Sequence, residues 1–252
     1  MIASLAGARA EAQAQGQASQ AQGQASGQPA AAWPQALDGQ ASAIPPRPVP
    51  PLSDFFEPIA GKTASPDADG FIRRWLILEP VNKPNPTNTV FTTSYVRNTL
   101  SPANYPGNFS ALPRAGQTVT AAPGEQLRWH ALDSKLWDVK LFNFAQALGK
   151  PKYGVVFWVT TVVNSPREMR GVRLAAGSNS ASVWWLNGTD VATLADDRRM
   201  VMDDVLSDRI TLRKGRNVIR GAIINGPGLS DFCLRFVDGA GQPIRDLSIS
   251  TT

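Results

Sequence analysis

The sequence predicts an all-β fold, an antiparallel β-sandwich, behind an N-terminal tail. Three observations carry this. From Phe71 onward, short alternating or β-branched runs recur at roughly 8- to 12-residue spacing, the rhythm of a sandwich. Turn dipeptides separate them: Pro123-Gly124, Asn187-Gly188 and Lys214-Gly215. The run "YGVVFWVTTVVN", residues 153–164, has the β-branched and aromatic content of a central strand.

The elements follow in order. Residues 10–43 are mostly Ala, Gln, Gly and Ser. They bury too little apolar surface to offset ordering entropy, which predicts a disordered tail. "IPPRPVPPL", residues 44–52, is extended and semi-rigid. The expected division is 1–52 for signal remnant and tail and 53–252 for the sandwich domain. "SDFFEPIAGK" touches that domain through Phe55 and Phe56, and the regular fold starts near Phe71. "FIRRWLILEP" is a strand ended by Pro80. Thr87 or Asn88 caps a short helix with Val90, Tyr95 and Leu100 on its buried side. "QTVTAAPGEQLRWHALD" is a hairpin, and "VKLFNFAQALG" a helical turn or loop crossing.

The second half is a series of strands. Asn187-Gly188 marks a hairpin, because a type I′ turn needs positive φ at both central residues. Lys214-Gly215 reads as another. Trp184 and Trp185 are adjacent, so on a strand they face opposite sides. Trp75, Trp158 and one of the pair fit core positions. The other points outward, as a ligand platform or as the seat of the N-terminal segment around Phe55 and Phe56, unless a loop covers it.

The order of the pieces resembles a known family. "RRWLILEP", "WHALD", "YGVVFWVTTVVNSPREMRGVRLAAGS", "VWWLNGTDV", "DRRM" and "ITLRKGRNVIRGAIINGPGLSDFCLRFVDGAGQPI" occur in sequence. They resemble the galactose-binding-like jelly-roll modules attached to, or encoded beside, bacterial polysaccharide-degrading enzymes. More narrowly, the chain is similar to proteins labelled acetylxylan esterase. The resemblance implies a jelly roll over residues 71–250 and a role in xylan-type breakdown. The loop after Gly177-Ser178 reads Asn179-Ser180, where many relatives carry acidic residues. This argues against a calcium-dependent role there.

Composition narrows the function. The 252 residues carry a net charge of +5, with Lys and Arg scattered. No basic stripe interleaves with aromatics, which disfavours nucleic acid as a partner. No stretch reaches the ~18 apolar residues of a membrane span. One cysteine, Cys233, and one histidine, His130, provide neither a Cys/His zinc site nor a cysteine-histidine nucleophile. No metal and no cofactor are expected. The start, "MIASLAGARAEAQAQ", resembles the tail of a signal peptide that begins upstream. It predicts a periplasmic or secreted protein; the alternative is an ordinary Ala-rich tail.

Two chemistries compete. An esterase needs a nucleophile, a base and an oxyanion hole. No Gly-x-Ser-x-Gly elbow occurs. A triad would have to join Ser178 or Ser230, His130, and Asp133 or Asp231. Sugar binding needs an aromatic face and a few placed polar groups. Trp184, Trp185, Asn187, Asp197, Arg199, Trp129 and His130 are the candidates. Asp196, Asp197, Asp203 and Asp204 form an acidic loop that pairs with Arg198 and Arg199 or shapes turns; the alternatives are a glycosidase-like acid and base or a cation site. The first reading is an exported, non-catalytic carbohydrate-binding or accessory module for an oligosaccharide or polysaccharide, working with a glycoside hydrolase or esterase partner. The alternatives are a carbohydrate acetyl esterase and a structural protein-interaction domain.

Overall fold

A computed structural model describes residues 48–83, 91–196, 199–226 and 228–252. The larger of two sheets contains ten strands among the described residues. Its main path runs β1 (Phe56–Pro58), β5 (Glu125–Ser134), β2 (Arg74–Leu78), β6 (Val155–Ser165), β12 (Gly215–Asn225), β8 (Ser182–Leu186) and β9 (Thr189–Leu194). Off this path, β4 (Thr118–Ala122) lies beside β5, and β3 (Val81–Asn82) and β14 (Ser248–Ser250) lie beside β6. The smaller sheet has β7 (Met169–Ser178) at its centre. Its neighbours are β10 (Val205–Leu206), β11 (Ile210–Leu212) and β13 (Phe232–Val237). The pairings are antiparallel. The expected antiparallel β-sandwich is therefore the architecture.

Alternation places each strand residue. Trp75 and Ile77 of β2, Phe157 and Val159 of β6, Ile219 and Ile223 of β12, and Trp184 of β8 form one core. Leu174 and Ala176 of β7 and Phe232, Leu234 and Phe236 of β13 close it from the smaller sheet. Helix α2 (Leu141–Ala147) adds Leu141, Phe144 and Ala145. The intervening residues face the other way. Leu76, Leu78, Trp158, Val183, Trp185, Ala222 and Ile224 form a second core. Helix α1 (Thr93–Thr99) and the residues on either side of it cover that face through Phe91, Val96, Leu100 and Tyr105. The large sheet is thus buried on both sides. This explains why β2, β6 and β8 read as nearly continuous apolar runs rather than clean alternation.

Several expectations are corrected. The fold begins before Phe71: Phe56 is buried, pairs in register with Ser134 and meets Phe144 edge-on. Arg74 anchors the same segment, bonding both Asp133 carboxylate oxygens at 2.8 and 2.7 Å and the Ala60 carbonyl at 2.8 Å. Lys214-Gly215 is not a hairpin. The strand before it, β11, pairs with β7, while β12 pairs with β6 and β8, so the turn crosses between sheets. The short helix is capped by the Thr92 side chain, which accepts from the Tyr95 amide at 3.3 Å. Thr87, Asn88 and Val90 lie outside the described residues. So does the tail over 10–43. The turn at Pro123-Gly124 joins β4 to β5. Asn187-Gly188 joins β8 to β9, with φ of 52° and 87°. No helix among the described residues is long and apolar enough to cross a membrane.

Candidate functional site

The two turns at Asn187-Gly188 and Lys214-Gly215 meet at one end of the large sheet. Asn217, fully buried, joins them. Its side-chain amide donates to the Arg213 carbonyl at 2.8 Å and the Gly215 carbonyl at 3.1 Å. Its oxygen accepts from the Arg213 amide and from Asn187 Nδ2, both at 3.0 Å. Asn187 Oδ1 in turn accepts from the Val218 amide at 2.9 Å. The hydrogen bonds fix both turns and leave their side chains around a shared hollow.

The register of β12 decides what lines that hollow. Residues 216, 218 and 220 share a face with Ala222 and Ile224, which lie in the second core. Toward the start of β12 that cover opens into a cleft. Its volume is about 420 Å³, within the ~300–1,000 Å³ usual for small-ligand sites. Arg216, Val218 and Arg220 form one wall, Arg213 and Asn187 the end, and Phe109, Ser110 and Leu112 the opposite side. Phe109 is half-buried and backed by Trp185, edge-on at 5.4 Å between ring centroids.

Arg220 is unusual. It is 4% exposed. One guanidinium nitrogen donates to the Ala111 carbonyl at 3.0 Å, and the group lies 5.0 Å from the centre of the Phe109 ring. Its Nε has no partner. Burial, and then the neighbouring Arg216 charge, hold its pKa below the ordinary arginine value, although Tyr105 partly opposes this. Burial pushes the Tyr105 phenol up to about 12, so it is neutral at pH 7 and supplies no countercharge. Among the described residues, no carboxylate forms an ion pair with Arg213, Arg216 or Arg220. A larger cleft of about 530 Å³ differs in this respect. There Arg167 pairs with Asp246, and Arg170 with Glu168 at 2.6 Å.

The sequence-predicted residues fall in several places. Asn187 lines the cleft. Trp184 is fully buried between Trp75 and Phe232. Trp185 is 4% exposed, stacked against Trp158 at 6.0 Å. Trp129 is buried against Tyr105. The outward-facing tryptophan is Trp185, and the exception applies: the residues around α1 cover that face, so it is not a ligand platform. Nor does Trp185 seat Phe55 or Phe56; both pack with the first core. None of the three indoles offers a free face to a sugar. Arg199 is exposed and Asp197 lies outside the described residues. Asp203 pairs with Arg235, at 3.0 and 3.1 Å to Nε; Arg198 lies outside the described residues.

No hydrogen bond joins the triad candidates among the described residues. His130 Nε2 lies 3.2 Å from Glu79 Oε1, and its ring meets Phe144. Burial alone would raise the Glu79 pKa, but hydrogen bonds from Lys150 and His130 outweigh it and hold the carboxyl below its usual range. Ser178 is fully buried, donates to the Ser180 carbonyl and lies 3.2 Å from Ser182 Oγ. Ser230 is also fully buried, and its hydroxyl has no partner. Asp133 is held by Arg74 and Asp231 by Lys140.

Sequence reasoning missed Phe109 and Arg213, Arg216 and Arg220. One signal was present. In "RKGRNVIRGAII" the arginines at 216 and 220 occupy the same side of the strand as Ala222 and Ile224. Nothing local in the sequence shows that Phe109 returns to that strand.

No family model matches the chain, and no curated protein matches it. Among solved structures it is similar to the PA14 sugar-binding domain from an RTX adhesin. That match has a TM-score of 0.39 and 11% identity, over 71% of this chain and 99% of that one. The PA14 domain of the MpAFP antifreeze protein gives a TM-score of 0.36 and 13% identity, over 76% and 96%. A Ruminococcus gnavus β-glucuronidase gives 0.34 and 11%, over 78% of this chain and 40% of that one. Likenesses this distant carry no argument about what this chain does.

Proposed function

We propose that this chain is an exported, non-catalytic carbohydrate-binding or accessory module in polysaccharide breakdown, with the cleft beside Asn187-Gly188 as its sugar site. The carrying observation is the cleft itself. An accessible aromatic side chain, Phe109, sits among Ser110, Asn187 and three arginines in a volume of about 420 Å³. A ring suits the C–H face of a sugar, and the polar groups bond its hydroxyls. The jelly-roll resemblance supports xylan-type polysaccharide as the target, and the signal-peptide-like stretch "MIASLAGARAEAQAQ" supports export as the fate. The esterase reading has less support, because Ser178 and Ser230 are buried and neither hydroxyl hydrogen-bonds His130.

Affinity electrophoresis through gels containing xylan and other plant polysaccharides tests this. We expect retardation by at least one polysaccharide. Phe109→Ala should lose most of it, roughly tenfold or more in affinity for a lost stacking contact and its apolar area. Acetate release from acetylated xylan that disappears in His130→Ala would overturn the non-catalytic reading.

A further inference from the structure

We infer that the cleft takes an acidic saccharide, one whose ring carries a carboxylate or a sulfate, with Arg213 and Arg216 gripping the anionic group in front of the buried Arg220 charge. This rests on the sugar-site reading and specifies its ligand class. Three guanidinium groups line one hollow without an ion-paired carboxylate among the described residues. A buried charge without a counterion is costly, and the cost is relieved only when an opposite charge arrives. Arg220 is in that position: 4% exposed, with Nε unpartnered.

Its known contacts do not neutralise it. The Ala111 carbonyl, the neutral Tyr105 hydroxyl and the Phe109 ring face its guanidinium but carry no net charge. Arg216 adds a like charge close enough to disfavour Arg220's ionised form. Folding has therefore brought positive groups together where repulsion opposes it. Arg213 and Arg216 are exposed, so their forks remain available to a ligand. A guanidinium matches the paired oxygens of a carboxylate or sulfate with parallel N–H donors. Neutral sugars offer no such partner. Phe109 and Val218 supply the apolar surface that a free ion would not need.

Titration calorimetry on the intact chain tests this with matched pairs. The probes are tetragalacturonate and its methyl ester, a xylo-oligosaccharide with and without a glucuronate branch, and a carrageenan oligosaccharide with and without its sulfate. Sodium sulfate serves as the bare anion. At least one acidic member should bind tenfold or more tightly than its neutral counterpart. The gap should shrink as salt rises. Arg213→Ala and Arg216→Ala should each reduce acidic binding on the order of tenfold and narrow the gap between each acidic member and its neutral counterpart. Both positions are exposed, and an unaltered melting temperature confirms that the fold is intact. Whether the carboxylate or the sulfate pairs show the gap identifies the anionic group. Equal affinity for acidic and neutral partners overturns the charge inference while leaving the sugar site standing. Sulfate ion binding as tightly as any saccharide overturns the saccharide requirement. Absence of binding by every saccharide overturns the sugar site as well.

Discussion

Gly221→Ala tests the account of the paired tryptophans. Gly221 lies opposite Trp184 in the β8–β12 ladder. A Cβ there would stand 2.3 Å from Trp184 Cζ3, 2.7 Å from Cε3 and 2.8 Å from Cη2. Carbon atoms pack at about 3.5–4.0 Å, so the indole must retreat by more than about 1 Å. Behind it, Trp75 and Phe232 are fully buried, with ring centroids 6.1 and 5.1 Å away. A close-packed interior leaves little room for that retreat. Overpacking of this kind costs about 1–3 kcal/mol, and three close contacts on a rigid ring argue for the upper half. Alanine returns ~0.5 kcal/mol by restricting the unfolded chain. The net loss is then about 2 kcal/mol, or roughly 4–8 °C in Tm for a domain of this size. Urea denaturation followed by tryptophan fluorescence measures it. Gly228→Ala is the control, since no atom lies within 4 Å of its added Cβ. In a Trp184→Leu background, Gly221→Ala should cost at least ~1 kcal/mol less, the coupling expected of residues in contact. Wild-type stability in Gly221→Ala, or the same loss in both backgrounds, would refute the reasoning.

Trp185→Ala should cost about 3–5 kcal/mol in the same assay, as expected for truncating a buried aromatic residue; unchanged stability with lost sugar retention would restore Trp185 as a platform. Lys140→Gln should destabilise by roughly 3–5 kcal/mol at pH 7, because Asp138 and Asp231 lose the ammonium held at 2.6 and 3.1 Å. Burial raises the Asp231 pKa despite Lys140, so its folded value exceeds its unfolded one. Stability from this group therefore falls as pH rises through the window above the ordinary aspartate value. Denaturation at pH 4 and pH 7 should accordingly show a smaller penalty for Lys140→Gln at the lower pH, and a larger one would contradict the assignment.

How much was legible follows from which forces are local. The Asn187-Gly188 turn was readable because positive φ at two adjacent positions restricts the residue types that fit. The opposite facing of Trp184 and Trp185 was readable because strand alternation is geometric. What covers the second face was not. "RWLIL" of β2 and "SVWWL" of β8 are buried at every position. Such runs signal a sheet covered on both sides, but they do not name the cover. The cover comes from residues 91–119, whose sequence between α1 and β4 has little periodicity. The error at Lys214-Gly215 has a similar origin. A glycine with φ of 80° turns the chain in a hairpin or in a crossover alike. Long-range pairing with β7 or β6 decides which, and local propensity carries no record of it.

The same logic explains why the arginines escaped notice. On β12, the side bearing Ala222 and Ile224 is packed, while the side chains of Arg216 and Arg220 lie on that side nearer the strand's start. A sequence optimised only for stability would continue the apolar pattern toward residue 220, since replacing a buried charge by a hydrophobic side chain is commonly neutral or stabilising. Here the pattern breaks at a buried arginine with an unpartnered Nε, beside a second arginine and a half-buried phenylalanine. Local rules fail most informatively where the remaining structure supports the exception. Asn217 locks the two turns, Trp185 backs Phe109, and the Ala111 carbonyl holds the guanidinium in place. That support keeps the positive groups positioned before any ligand arrives, so a bound anion would meet a preorganised charge rather than having to assemble one.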